Sequence, residues 1–319
     1  MNRQAEADFE QVNLLIHIGY PKTASTWLQK SVFTQSEYGL ATPWDNIRPL
    51  AISNFTLINP FKFNPHMARS VFLSGIKEAN SQGKIAVISD ETLGGDPLRG
   101  WINPKVIAER IHQTFPEARI LICIREQKST LHSLYSEYIK HGHTGKLQDF
   151  IGTTGEHLGK APICDIAQLE YDRLIDHYHT LFGKEQVTVL TFENFLANKK
   201  AFLQQLLSAA NPDITLPDFS ISHKIENSSL GPATLNLRRI FNNISRSPDW
   251  SLPRQPFTFR LNQKASSILD RIIPEQYQAA TKVTNKRVID DFIGDRYRAS
   301  NKRTIELTGL DLSALGYET

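Results

Sequence analysis

Four short runs of apolar residues, Leu14–Ile18, Ile85–Ile88, Ile120–Ile124 and Val187–Leu190, punctuate an otherwise mixed chain. Each is rich in β-branched residues and continuous rather than alternating, apart from His17 within the first. Continuous hydrophobicity over so few positions marks strands buried on both faces, as in a parallel sheet. Between the runs, apolar positions recur at helical spacing. Asn103 and Pro104 read as an N-cap and first helical residue, opening a helix that turns Val106, Ile107 and Ile111 inward and closes before Pro116. Similar patterns cover 127–140, 166–182 and 199–210. Strands alternating with helices predict an α/β fold: a parallel β-sheet flanked by helices, with right-handed crossovers and ligands at the carboxyl ends of the strands.

Two stretches break the pattern. Residues 41–66, rich in Pro, Asn and aromatics and including "NPFKFNPH", show no periodicity and predict an irregular insertion over one sheet edge. Residues 141–163 carry five glycines with His141, His143 and His157, and read as a flexible segment, either a surface connection or an acceptor-binding lid. From about 222 onward the strand signal gives way to helical pieces. Without a repeat or a linker, residues 1–319 are expected to form a single domain with a helical C-terminal part, 222–319.

Composition narrows the chemistry. A hydrophobic content of 40% supports a sizeable core, and a net charge of only +3 supplies no global field for nucleic acid or an acidic membrane. Any anion site must be local. Cys123 and Cys164 offer neither metal spacing nor a disulfide framework, which fits a reducing compartment. The polar N-terminus lacks an apolar signal core and no run is long enough to span a bilayer, so the expectation is a soluble, cytoplasmic protein. The basic stretch Lys282–Arg303 is interleaved with Asp290, Asp291 and Asp295. Its stripe of Val288, Ile289, Phe292 and Ile293 predicts an amphipathic helix rather than a polyanion site.

The local anion site has a candidate in "HIGYPKTASTW", His17–Trp27. In the common phosphate-binding loop the lysine stands six positions after the first glycine and directly after a second. Here Lys22 follows Gly19 by three, and the hydroxyls of Thr23, Ser25 and Thr26 come next, before Trp27 and Leu28 begin a helical pattern. Backbone N–H groups at a helix start, its dipole and the Lys22 ammonium would together cradle an oxyanion. The plainer alternative is a strand-to-helix turn whose hydroxyls cap the helix. A second cradle is suggested where Ile124 ends a strand and Arg125 follows at once, with Ser133 eight residues later on the next helix. Two cradles on one sheet define a ligand with anionic groups at both ends.

"YPKTASTW" resembles the 5′-phosphosulfate loop of sulfotransferases that use 3′-phosphoadenylyl sulfate (PAPS), and Arg125 with Ser133 resembles their 3′-phosphate motif in residues and spacing. "LEYDRLIDHYHTLFGKEQVTVLTFENF", "ENSSLGPATLNLRR" and "SNKRTIELTGLDLSALGY" resemble the bacterial soluble branch of that family. The resemblance implies a P-loop-like sulfotransferase fold, with PAPS as co-substrate and no metal. It puts Lys22, Thr23, Ala24, Ser25, Thr26 and Trp27 around the phosphosulfate, and Arg125 and Ser133 on the 3′-phosphate. Ala24 stands where related loops carry glycine, which a helical φ at that position would tolerate. Lys224, Asn227 and Ser228 in "HKIENSSL" are candidates for the late phosphate contacts.

For the reaction, Lys22 would stabilise charge growing on the leaving phosphate. The strand "IAVISDETLGG" delivers Asp90 and Glu91 to the same edge, where family members place a catalytic base. Glu91 is the first choice and Asp90 the second, against the alternative that either caps a turn or pairs with Lys22. His17 reads as a hydrogen-bonded structural residue. The implied acceptor is a hydroxyl compound, a glycan or other small alcohol, with Trp44, Phe55, Phe61 and Phe63 and the histidines of 141–157 as a candidate cleft, or else as core. The rival functions are a nucleotide or small-molecule kinase and a non-catalytic nucleotide-binding module. The first would need the Gly-Lys-Ser/Thr ending that this loop lacks.

Overall fold

The structure is a computed structural model that describes residues 11–98, 102–151, 163–211, 230–243 and 257–319. Its centre is an all-parallel five-stranded sheet of order β2-β3-β1-β4-β5. The four expected strands appear as β1 (Leu14–Gly19), β3 (Ile85–Asp90), β4 (Arg119–Ile124) and β5 (Val187–Thr191). The fifth, β2 (Leu40–Ala41), pairs only through Leu40 with Ile85 and Ala41 with Ala86, too short to leave a pattern in the sequence.

Alternation along the strands divides the core into two layers. Leu14, Ile16 and Ile18 of β1 join Ile88, Ile120 and Ile122 on one side. They pack against Phe72 and Ile76 of α3 (Pro65–Ser81), Ile107 and Ile111 of α4 (Pro104–Thr114), Leu131 of α5 (Gln127–Lys140) and Ile175 of α7 (Tyr171–Phe182). Leu15, Val87, Leu121 and Cys123 face the other side, under Leu28 of α1 (Ser25–Ser31) and Phe202, Leu203, Leu206 and Leu207 of α9 (Lys199–Ala210). Burial on both faces is why these strands read as unbroken apolar runs. Asn103 caps α4 as its sequence predicts, accepting from the N–H groups of Lys105 and Val106.

Three expectations need correction. Residues 41–66 are not irregular: α2 (Ile47–Ala51), a π turn over Ile52–Thr56 and a 3₁₀ turn over Pro60–Lys62 lead into α3. Buried Arg110 of α4 fixes this insertion by donating to the carbonyls of Phe55 (2.7 Å) and Ile58 (3.0 Å), while Phe55 stacks on Phe72. The expected helix 166–182 is two elements, a 3₁₀ turn Ile166–Leu169 and then α7. In α12 (Glu275–Ile293), Ile289 and Ile293 are buried but Phe292 of the predicted stripe is exposed. Between 141 and 163 the described part contains α6 (Leu147–Ile151); His157 lies outside the described residues. The remaining helices among the described residues are α8 (Phe192–Ala197), α10 (Pro232–Asn242), α11 (Phe257–Ile272) and α13 (Arg298–Thr308).

From β1 the chain moves toward the β2 edge, and from β4 toward the β5 edge. The carboxyl ends of β1 and β4 therefore bound the crevice where such sheets take ligands. Gly19 registers with Cys123 across this pair, so the loop after β1 and Arg125 emerge side by side.

Candidate functional site

The loop after β1 turns sharply before α1. Lys22 and Ala24 are the two non-glycine residues with positive φ among the described residues, at 72° and 68°. The helical φ that would suit Ala24 is therefore not what it adopts; its methyl sits in the left-handed region that favours glycine. Thr23 is buried and its hydroxyl donates to the Tyr20 carbonyl at 2.6 Å, so that side chain closes the turn. Trp27 is buried against Phe195, ring centroids 4.9 Å apart. No side chain caps α1, and Ser25 Oγ has no hydrogen-bond partner although Ser25 is buried. The capping alternative thus fails, and with α1 only seven residues long the local positive charge comes from side chains more than from the helix.

Two of those charges are Lys22 and Arg125. Arg125 Nη1 donates to the Lys22 carbonyl at 3.2 Å, and its guanidinium lies over the Phe192 ring at 4.5 Å. Burial lowers the pKa of both side chains, opposed at Lys22 by the charge of Glu91 and at Arg125 by that of Glu193. Behind Arg125, Tyr171 donates to its carbonyl at 2.5 Å, and Glu193 accepts from the Glu126 N–H and from Tyr317. Gln127 and Asn301 exchange side-chain hydrogen bonds, so α13 and the C-terminal segment brace the start of α5. Ser133 is half-buried on the second turn of α5, and no hydrogen bond joins it to Arg125. Lys224, Asn227 and Ser228 lie outside the described residues.

The two candidate bases differ in kind. Asp90 is fully buried at the end of β3, and its Oδ1 accepts from the N–H (2.8 Å) and hydroxyl (2.6 Å) of Thr92, capping a 3₁₀ turn. Burial raises its pKa, against the hydrogen bonds from Thr92 and the charge of Arg48. Glu91 is partly exposed and pairs with Arg48, Oε1 to Nη1 3.2 Å. It borders a cavity of about 180 Å³ together with Pro21, Arg48, Asp96, Glu137 and His141. Glu137 of α5 forms an ion pair with Lys22 and lies 3.5 Å from His141 Nε2. Nothing in the sequence marks Glu137, since only the packing of α5 beside the β1 loop brings it there.

The four aromatics weighed as an acceptor cleft or as core do not border the cavity beside Glu91. Phe55 is fully buried, Trp44 packs edge-on against Phe72, and Phe63 lies under the Arg110 guanidinium at 5.4 Å. Phe61 is exposed, His143 stacks on Tyr138, and only His141 of the described histidines in that stretch borders the cavity. Among the described residues no group of three or more His, Cys, Asp and Glu is placed to hold a metal, and no helix is long and apolar enough to cross a membrane.

Residues 103–215 match the family model described as "Sulfotransferase family", a stretch holding Arg125 and Ser133 but not the β1 loop. No curated protein matches the chain significantly. Among solved structures, a sulfotransferase from Alicyclobacillus acidocaldarius is similar at 14% identity and a TM-score of 0.54, over 96% of this chain and 99% of that one. A sulfotransferase domain from the curacin biosynthetic pathway is similar at 12% identity and a TM-score of 0.39, over 66% and 77%. Residues 103–215 are thus similar to the sulfotransferase family, and the chain shares the α/β fold of the Alicyclobacillus acidocaldarius sulfotransferase.

Proposed function

We propose that the protein transfers the sulfuryl group of PAPS to a hydroxyl acceptor, and that the chain acts as one catalytic domain. The observation that carries this reading is the meeting of Lys22 and Arg125, 103 positions apart in sequence, at the crevice between β1 and β4. Lys22, Ser25, Thr26 and the backbone of the loop hold the phosphosulfate, and Arg125 with Ser133 takes the 3′-phosphate. Lys22 stabilises the leaving phosphate oxygen as its bond to sulfur breaks, a positioned charge that matters most in the transition state. Glu91 accepts the proton of the acceptor hydroxyl as its oxygen bonds to sulfur, with Arg48 orienting the carboxylate. The products are a sulfate ester and 3′-phosphoadenosine 5′-phosphate. The reaction needs no metal on this reading.

The cavity beside Lys22 favours the acceptor class. Arg48, Glu91, Asp96, Glu137 and His141 give it a charged lining, suited to a small polyhydroxyl compound such as a sugar and hostile to a flat apolar phenol. The test is release of 3′-phosphoadenosine 5′-phosphate from PAPS in the presence of sugars, other polyols and phenols, with and without magnesium. Sugar-dependent release that Glu91→Gln reduces at least about a hundredfold supports the reading, in line with the usual gain from a positioned base. No release from PAPS, with magnesium-dependent formation of ADP from ATP and an acceptor instead, would return the loop to the kinases.

A further inference from the structure

Beneath the β1 loop runs a buried polar chain that the proposed reaction does not use. His17 is fully buried on the α1 side of β1, 5.4 Å from the Phe33 ring. Its Nδ1 lies 2.8 Å from Oγ of Ser89, the residue in register with it on β3. Ser89 Oγ in turn lies 3.1 Å from Gln29 Nε2 on α1. Burial pushes the imidazole pKa down to about 3, so the ring is neutral and carries one N–H.

Gln29 sets the direction of the chain. The same Gln29 atom faces the Ser89 carbonyl oxygen at 3.4 Å, and a carbonyl only accepts, so that atom is the amide nitrogen. Ser89 Oγ accepts from it, and His17 Nδ1 is its only other hydrogen-bond partner among the described residues, so the arrangement that leaves no hydroxyl proton unbonded gives that proton to Nδ1 and puts the ring proton on Nε2. That Nε2–H has no hydrogen-bond partner, and neither has Ser25 Oγ. Both atoms face one spot: a Cβ on Gly19 would stand 3.1 Å from His17 Nε2 and 2.7 Å from Ser25 Oγ. Glycine ends β1 here because two polar groups converge where a side chain would be, not because of its φ.

We propose that His17 is a positioning residue of the donor site: the two converging atoms are not bonded to each other in this structure, and when the loop holds its anion the His17 Nε2–H donates to Ser25 Oγ, so that the Ser25 hydroxyl proton is committed to that anion. A serine hydroxyl both donates and accepts; supplied with a proton from behind, it presents its own to the ligand. His17 itself does not touch the donor. The inference rests on the PAPS reading of the loop.

The experiment is calorimetric titration of 3′-phosphoadenosine 5′-phosphate into the wild type, His17→Asn, His17→Gln, Ser25→Ala and the His17→Asn/Ser25→Ala double variant, with a thermal melt of each. Nitrogen-15 NMR of the wild-type imidazole reads the tautomer. Asn keeps a partner for Ser89 but loses the Nε2 donor, whereas Gln places an amide nitrogen near it. The expected result is the Nε2–H tautomer, a loss of about tenfold in affinity for His17→Asn and for Ser25→Ala, no further loss in the double variant, and partial recovery in His17→Gln. Wild-type affinity in folded His17→Asn, additive losses in the double variant, or the Nδ1–H tautomer would overturn the proposal while leaving the donor site standing. No binding by the wild type would instead sink the donor site, and this inference with it.

Discussion

The guanidinium of Arg125 reaches across from the end of β4 to hold the carbonyl of Lys22, 3.2 Å away, in the loop that follows β1. On the proposed function, one side chain thus fixes the shape of one anion cradle and supplies the charge of the other. Arg125→Ala is expected to weaken binding of 3′-phosphoadenosine 5′-phosphate by about 10- to 100-fold, the usual effect of losing a charge-assisted hydrogen bond. Arg125→Lys should fall between, because it keeps the charge and loses the planar fork. Calorimetry on the folded variants checks both.

On the proposed donor site, Glu137 competes with the donor for Lys22, with which it forms an ion pair. Each side chain of the pair is about a third exposed, so the interaction is worth at most about 1 kcal/mol. Glu137→Gln is expected to tighten binding of 3′-phosphoadenosine 5′-phosphate by up to about fivefold, with the gain shrinking at high salt. Weaker binding in this variant would mean that Glu137 supports the loop rather than competing for its lysine.

Ala24 stores strain in the loop. An L-residue in the left-handed region costs about 1–2 kcal/mol, of which glycine would recover part after roughly 0.4–1 kcal/mol of extra unfolded-chain entropy. Ala24→Gly is expected to raise the melting temperature by about 1–3 °C with donor-product affinity unchanged, as thermal melts and calorimetry would show. A lower melting temperature would contradict the strain.

Asp90 makes stability depend on pH. Its folded-state pKa is raised by burial, so the folded protein binds more protons than the unfolded one just above the ordinary aspartate pKa of 3.8. Through that window Asp90 lowers stability as pH rises, and above its folded-state pKa the loss is complete. Asp90→Asn keeps an oxygen for Thr92 and removes the titration. The variant should gain stability over the wild type as pH climbs from 4 to 7, read by denaturant unfolding; a constant difference would exclude Asp90 as the source.

The sheet was legible because β1, β3, β4 and β5 are buried on both faces and so read as unbroken β-branched runs. β2 was not, since a strand of two residues has no period. Residues 47–62 hid their helical turns because each is too short to show one, and Pro49, Pro60 and Pro65 looked like breakers although Pro60 and Pro65 open the next turn and helix. In the site, Lys22 and Arg125 stood out by position at strand ends. Glu137, His141 and the pairing of His17 with Ser89 did not, because the packing of α5 and the register of β1 on β3 create them. The aromatic residues of the insertion left cleft and core equally open in the sequence, and they divide: Phe55 is buried, Trp44 and Phe63 are half-buried, and Phe61 is exposed.

The proposed donor site has two anion cradles at the β1/β4 crevice. Its most direct test is titration of 3′-phosphoadenosine 5′-phosphate, without magnesium, into the wild type, Lys22→Ala and Arg125→Ala. Saturable binding that weakens in Lys22→Ala and is largely lost in Arg125→Ala is the expected result. Absence of binding by the wild type, or equal binding by all three proteins, would contradict it.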